Sequence, residues 1–468
     1  MSQSGAVQKR KEAVIIEKVT ALTTSGKHQE ALASIEEGLS QFPHSIDLLI
    51  KKSQILFHSK QYKKTIALIE SATFCDLKLE IIKAKSYNEL GKVGLAKELL
   101  ETLRLEYCRT IEDANFLDMA LGNILYDEMQ YEQALTLYKT VLKSNTRHQE
   151  ALDAIWNIYD DSNKYKECIK YYNELLEFDS YNEQAWLTLG YAYNYNEQKL
   201  DAAHAFDMAN TINENNKEAI MMSAQCLKES AKYEKAISLY LQLMEDNGDI
   251  QYAFMLDLAE CYLALENYNL AFFYASKFSL DNSTNWYALL LKGICLVRHH
   301  NHFEAIDNYQ SALKIVGNHT LILINLALAH YHVGEQKTAF NYFMEALDNA
   351  PDNFQYWQFV IEFLYKHEDY DAAKLVAINA HEVFHSESSS IMLMSSFFKL
   401  GDKVSAYNAV NHLTKFGDHL VEKLLTYCPE LSDDNQFRGF YRYCTDKQEL
   451  PQPAQSEFDL PDGYIEFT

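Results

Sequence analysis

Residues 182–216 read NEQAWLTLGYAYNYNEQKLDAAHAFDMANTINENN, and two helical stripes run through them. Trp186, Leu189, Gly190 and Tyr193 recur at spacings of three and four, as do Ala202, Phe206 and Ala209 further on; such spacing puts each set on one helical face. Between the stripes lies Tyr195-Asn196-Glu197-Gln198, a short polar break, so the two helices are expected to fold back as an antiparallel hairpin. Gly190 and Ala202 let the two backbones approach where they cross, while Trp186, Tyr193 and Phe206 fill the space above and below, as dense packing requires.

The same unit returns along nearly the whole chain. A small residue marks it twelve times, at Ala31, Thr65, Ala96, Ala134, Cys168, Ala202, Ala236, Ala271, Ala305, Ala339, Ala373 and Ala406, at intervals of 34, 31, 38, 34, 34, 34, 35, 34, 34, 34 and 33 residues. The position of Gly190 is small again at Ser53, Ala84, Gly122, Ala224, Ala259, Gly293 and Ala327; that of Phe206 is aromatic at Tyr138, Tyr172, Tyr240, Tyr309 and Phe343. Gly26, Gly91, Gly334, Gly401 and Asn163 stand in the hairpin turns, where a left-handed conformation is needed.

This pattern resembles the tetratricopeptide repeat, W-x2-L-G-x2-Y followed by A-x3-F, A and P, over about residues 12–420. The resemblance implies an all-α solenoid of about twelve helix-turn-helix repeats forming a right-handed superhelix. Each unit then buries its apolar face on its neighbours. An N-terminal extension is expected over residues 1–11, two closing helices over 421–447, and a flexible acidic tail rich in proline over 448–468. The intervals of 31 and 38 predict a shortened helix and a lengthened loop near Leu105–Ala114, and Trp156 and Ile361, in place of a small residue, should push their two helices apart or shift the crossing point.

Charge and composition narrow the partners. Lysine and arginine number 42 against 66 acidic residues, a net charge of −24, which repels the phosphate backbone and argues against nucleic acid. No apolar run is long enough to span a membrane, and no secretory or lipidation pattern is present. The eight cysteines are scattered without a C-x-x-C pair, which suits reduced thiols in a cytoplasmic protein.

The resemblance implies that the first helices line the inner face of the superhelix and that this face grips a partner's peptide or helix. In the middle repeats the row holds Asn123, Tyr126, Asp127, Glu150, Asp153, Asn157, Asp160, Asp161, Tyr191, Asn194 and Tyr195. Amides can hold a peptide backbone, tyrosine offers flat contact area, and the carboxylates favour a basic or neutral ligand; a merely solvated face is the other reading. Further on the row becomes apolar, at Leu256, Leu290, Ile294, Val297, Ile324, Leu328 and Tyr331. An exposed stripe of this kind would receive a partner helix, a second copy of the chain, or the chain's own tail through Phe458, Leu460, Tyr464, Ile465 and Phe467; tight winding would instead bury it. The carboxylate clamp of some family members is not matched: Asn123 and Asn157 agree with it, but Met119, Asp153 and Leu187 stand where lysine is required.

Chemistry has one candidate. His381-Glu382-Val383-Phe384-His385 is an H-E-x-x-H string, which on one helical face could hold zinc and make a metallopeptidase. It falls at the end of a second helix with no third ligand following, and a histidine suits that negative pole without any metal. The three histidines of Arg298-His299-His300-Asn301-His302 read as a solvated turn, and Cys226, Cys261 and Cys295 as small buried hydrophobes at one repeat position. The expectation is therefore a non-catalytic scaffold without cofactor or metal.

Overall fold

Most first helices begin where a side chain caps them. Ser45, Asp76, Asn182 and Asn285 each accept a hydrogen bond from a backbone N–H of the first turn, and Thr110 forms a reciprocal capping box with Asp113. The computed structural model describes residues 3–72, 75–245, 254–281, 284–411, 418–445 and 450–451. The described residues are 81% helical, with no strand among them.

It divides into two units, Met1–Ser230 and Ala231–Thr468. The first holds α1 (Gln3–Thr24), α2 (His28–Gln41), α3 (Ile46–His58), α4 (Tyr62–Glu70), α5 (Leu77–Glu89), α6 (Val93–Glu106), α7 (Ile111–Asp127), α8 (Tyr131–Ser144), α9 (Gln149–Asp161), α10 (Tyr165–Phe178), α11 (Glu183–Tyr195), α12 (Lys199–Ile212) and α13 (Lys217–Glu229). The second holds α14 (Tyr233–Glu245), α15 (Met255–Ala264), α16 (Tyr268–Asp281), α17 (Trp286–Arg298), α18 (His302–Val316), α19 (Thr320–His332), α20 (Gln336–Asn349), α21 (Phe354–Lys366), α22 (Tyr370–Phe384), α23 (Glu387–Lys399), α24 (Lys403–Val410), α25 (Asp418–Tyr427) and α26 (Asn435–Thr445). Within each unit, most helices adjacent in sequence pack against one another; α25 instead packs against α23 and the 3-10 helix that follows it.

All twelve marker residues from Ala31 to Ala406 are at most 1% exposed, so the interval pattern does mark the helix crossings. The glycines facing them are needed for space. A Cβ built on Gly190 would come within 2.6 Å of the Phe206 ring, and one on Gly122 equally close to Tyr138. Trp186 and Trp357 hold equivalent places, and each indole N–H donates to a carbonyl of the preceding turn, Ser180 O at 2.9 Å and Pro351 O at 3.1 Å.

The irregular intervals have a physical location. The short one reflects α4, only 9 residues long, and the long one α7, 17 residues long; the loop between α6 and α7 is just Tyr107–Thr110, shorter than expected. Trp156 does splay its hairpin, since α9 and α10 meet far less extensively than α7 and α8 or α11 and α12. Ile361 does not: it is fully buried, and α21 and α22 stay closely packed.

Each of the twelve hairpin turns also contains one left-handed residue, at Gly26, Lys60, Gly91, Met129, Asn163, Glu197, Ala231, Glu266, His300, Gly334, Glu368 and Gly401. Turns between repeats are tied by polar side chains. Arg147 grips Asp179 through two N–H groups at 2.8 Å each, and these bonds hold the Asp179 carboxyl down to about 2. After α24, Lys399 pairs with Glu430 at 2.8 Å and Lys403 with Asp434 at 2.6 Å, fastening a short 3-10 helix (Pro429–Asp433) and α26 to the preceding pair.

Candidate functional site

A cleft of about 380 Å3 opens along the first helices of the first unit. Asn123, Tyr126 and Asp127 of α7 and Asn157 of α9 line it; Phe57 of α3 and Lys85, Asn88 and Glu89 of α5 complete the wall. Lys85 stands 38 residues before Asn123 and Glu89 the same distance before Asp127, so these residues occupy the same repeat positions. The uneven interval hid them.

Hydrogen bonds set how this wall presents its polar groups. The buried Tyr138, which covers Gly122, donates its hydroxyl to Asn123 Oδ1 at 2.7 Å, leaving the amide N–H2 of Asn123 directed away from that bond. Asn157 is exposed and makes no side-chain hydrogen bond among the described residues. Asn88 Nδ2 donates to Asp127 at 2.8 Å, and Tyr126 OH donates to Asp161 at 2.6 Å. The bond to Asp161, with burial second, pushes the Tyr126 hydroxyl up to about 12, so it remains a donor at neutral pH.

The rest of the acidic row continues along α9 and α11. Asp153 and Asp161 are exposed and Asp160 is half-buried, accepting from Tyr165 OH at 2.9 Å. Tyr191 donates to Glu218, with burial as the larger cause raising its hydroxyl pKa, and Asn194 accepts from Lys199 at 2.9 Å. Tyr195 is 54% exposed. Trp156, read from sequence only as a packing departure, reaches this surface and lies near Tyr165, Tyr191 and Tyr195.

In the apolar part of the row the structure favours burial, the second of the two readings the sequence offered. Leu290, Ile294, Ile324 and Leu328 are at most 2% exposed, and Tyr331 is half-buried against Phe363 and His367. The aliphatic side chains fill the space between neighbouring first helices: Leu290 and Ile294 share a core with Ala259 and Leu263 of α15, and Ile324 and Leu328 share one with Val360 and Phe363 of α21. That stripe is therefore core in the second unit. The tail residues Phe458, Leu460, Tyr464, Ile465 and Phe467 lie outside the described residues.

The peptidase reading is not supported. Helix α22 stops at Phe384, and His385 adopts φ 46° beyond it, so His381 and His385 do not share a helical face. His381 Nδ1 lies 3.3 Å from Ser389 Oγ and 3.4 Å from Ser390 Oγ, and among the described residues no three His, Cys, Asp or Glu gather as metal ligands. Cys168, Cys226, Cys261, Cys295 and Cys428 are buried free thiols, and burial pushes Cys226 up to about 11 and Cys168, Cys295 and Cys428 up to about 12. No described helix is long and apolar enough to cross a membrane.

No protein-family model matches the chain. A TPR repeat-containing protein of Methanocaldococcus jannaschii is 22% identical over 300 residues, covering 63% of this chain and 48% of that protein. Tetratricopeptide repeat protein 21B of Xenopus laevis is 26% identical over 256 residues, covering 49% of this chain and 19% of that protein. The chain thus matches less than half the length of either relative. Among solved structures, a chain of the APC/C hetero-tetramer Cut9–Hcn1 aligns at TM-score 0.37 and 13% identity, over 82% of this chain and 89% of its own. PilW, a type IV pilus biogenesis factor, aligns at TM-score 0.36 and 17% identity, over 42% of this chain and 92% of its own. With hairpins in this register, the chain is similar to these two proteins named for the tetratricopeptide repeat.

Proposed function

We propose that the chain is a non-catalytic, cytoplasmic interaction scaffold whose first-unit cleft takes an extended segment of a partner protein. The observation that carries this reading is the amide pair at the cleft. Asn123 is held by Tyr138 with its N–H2 group left over, and Asn157, 34 residues later, is exposed with both halves of its amide uncommitted. A peptide backbone offers alternating carbonyls and N–H groups that such amides can pair with regardless of side chain. The surrounding Asp127, Asp153, Asp160 and Asp161 favour a basic or neutral segment.

The test is selection of displayed random peptides on the intact chain, followed by measured affinities against the N123A/N157A double variant. Removing two amide contacts at about 1 kcal/mol each should weaken the selected peptides about tenfold or more. Tyr138→Phe, which frees Asn123 to turn, should weaken them by a smaller factor. Selected peptides that bind both variants as tightly as the parent would sink the reading.

A further inference from the structure

The proposed cleft runs into a group of rings that packing alone does not call for. Trp156 occupies the place that is glycine at 122 and 190, and its indole sits 6.2 Å from Tyr191, 6.0 Å from Tyr195 and 6.4 Å from Tyr165, centroid to centroid. Tyr165 and Tyr195 stack at 5.3 Å with 11° between planes, and Tyr195 remains more than half exposed. The result is an aromatic shelf of tilted and stacked rings contributed by α9, α10 and α11.

Negative charge surrounds the shelf without compensation. Asp160 and Asp161 follow Trp156 by one turn of α9, each held by a tyrosine hydroxyl, and Glu218 is held by Tyr191. Among the described residues, neither these three nor Asp127 and Asp153 have a Lys, Arg or His nitrogen within 4.0 Å, although Lys164, Lys199 and Arg147 nearby are paired elsewhere. Uncompensated carboxylates beside stacked rings repel one another and attract a flat cation.

We infer that this shelf takes an arginine side chain of the partner segment, the guanidinium laid on the exposed Tyr195 ring with its N–H groups turned to the Asp160 and Asp161 carboxylates. Arginine suits the geometry better than lysine, because a planar, weakly hydrated guanidinium stacks on a ring while keeping its edge donors for carboxylates. The chain's own tail cannot supply it, since residues 452–468 contain neither arginine nor lysine. This inference rests on the groove reading above and specifies one contact of the bound segment.

The probe is a fluorescein-labelled nonapeptide of glycine and serine with one central arginine, compared with its lysine and citrulline counterparts at physiological salt. Citrulline keeps the shape and removes the charge. The arginine peptide is expected to bind about tenfold more tightly than the citrulline peptide and measurably more tightly than the lysine peptide. Tyr195→Ala, which changes no charge, should weaken the arginine peptide about five- to tenfold, and Tyr195→Phe should leave it within about twofold. Because Tyr195 is more than half exposed, Y195A is expected to stay folded with only a small drop in melting temperature from the lost ring contacts, and D161N supplies a second variant with the same direction of effect. Equal binding of arginine and citrulline peptides, or arginine binding indifferent to Y195A and D161N, overturns the shelf. If displayed peptides depend on Asn123 and Asn157 yet show no arginine preference, only this inference fails; if they ignore both asparagines, the groove reading fails first.

Discussion

Asn123 and Asn157 in the first unit and Ile294 and Leu328 in the second hold the same place in their repeats, one residue past the small position of the first helix, yet the amides are exposed and the aliphatic chains are closed off. The surroundings change with them. Around the amides lie tyrosines and uncompensated carboxylates, whereas α19 is buried at every residue from Thr320 to His330. One hairpin architecture therefore hosts two kinds of row: a wet, acidic one suited to exchangeable contacts, and a dry one that adds to the core. The repeat fixes where a side chain stands on its helix. Its size and polarity then decide whether neighbouring first helices close over it.

The sharpest way to break this comparison is to place the same charge in both rows. Ile324→Asp puts a carboxylate into a fully buried aliphatic site and is expected to cost at least ~4 kcal/mol, from lost burial together with an unpaired buried charge. Asn157→Asp, at an exposed site, should change stability by no more than about 0.5 kcal/mol. Urea unfolding of the two variants reads both values. Comparable costs would mean that the rows are equally buried, and the contrast between units would be lost.

A second comparison lies inside the first unit, between the closed hairpin α11–α12 and the splayed hairpin α9–α10. Gly190→Ala drives a methyl to about 2.6 Å from the buried Phe206 ring and should cost about 2–3 kcal/mol, since neither the helix nor the ring has free volume to yield. The ring is the stated cause, so Phe206→Leu in the same chain should recover part of that loss, although the leucine itself leaves a gap. Gly293→Ala against Tyr309 provides the second-unit counterpart and should behave alike. Thermal melting of the single and double variants decides the matter: additive losses would show that Phe206 is not what makes glycine necessary. Trp156 shows the other solution, in which the hairpin opens and the large side chain finds new neighbours on the surface.

The repeat register was legible in the sequence because Ala202, Phe206 and Gly190 are selected by contact with each other, and contact at a helix crossing tolerates few residue types. The polar row was legible where the intervals are regular, at Asn123 and Asn157. It was missed at Lys85 and Asn88, where a short α4 and a long α7 displace the register. The burial of Leu290 and Leu328 was legible only as one of two readings, because an aliphatic residue on that helical face reads the same whether its neighbours close over it or leave it bare. Trp156 was visible as an exception, but its consequence depends on Tyr165, Tyr191 and Tyr195 arriving from two other helices.

The hairpin turns hold the smallest effect and extend the comparison to both units. Glu197 in the first unit and Glu266 in the second sit at φ 61° and 58°, in the place where Gly91 and Gly334 sit at 73° and 86°. A residue with a Cβ loses about 1–2 kcal/mol in this conformation relative to its preferred ones, and glycine does not. Replacing either glutamate by glycine removes that strain but enlarges the conformational freedom of the unfolded chain, which returns about 0.4–1 kcal/mol of the gain. The net expectation is a stabilisation of about 0.5 kcal/mol for Glu197→Gly and for Glu266→Gly, seen as a small rise in urea midpoint at unchanged slope. Equal gains would show that the turn is set by the hairpin alone and is indifferent to the row it carries. A gain confined to Glu266→Gly would instead mean that Glu197, two residues past the exposed Tyr195, makes a stabilising contact which offsets its strain, and the wet surface would then reach into the turn as well.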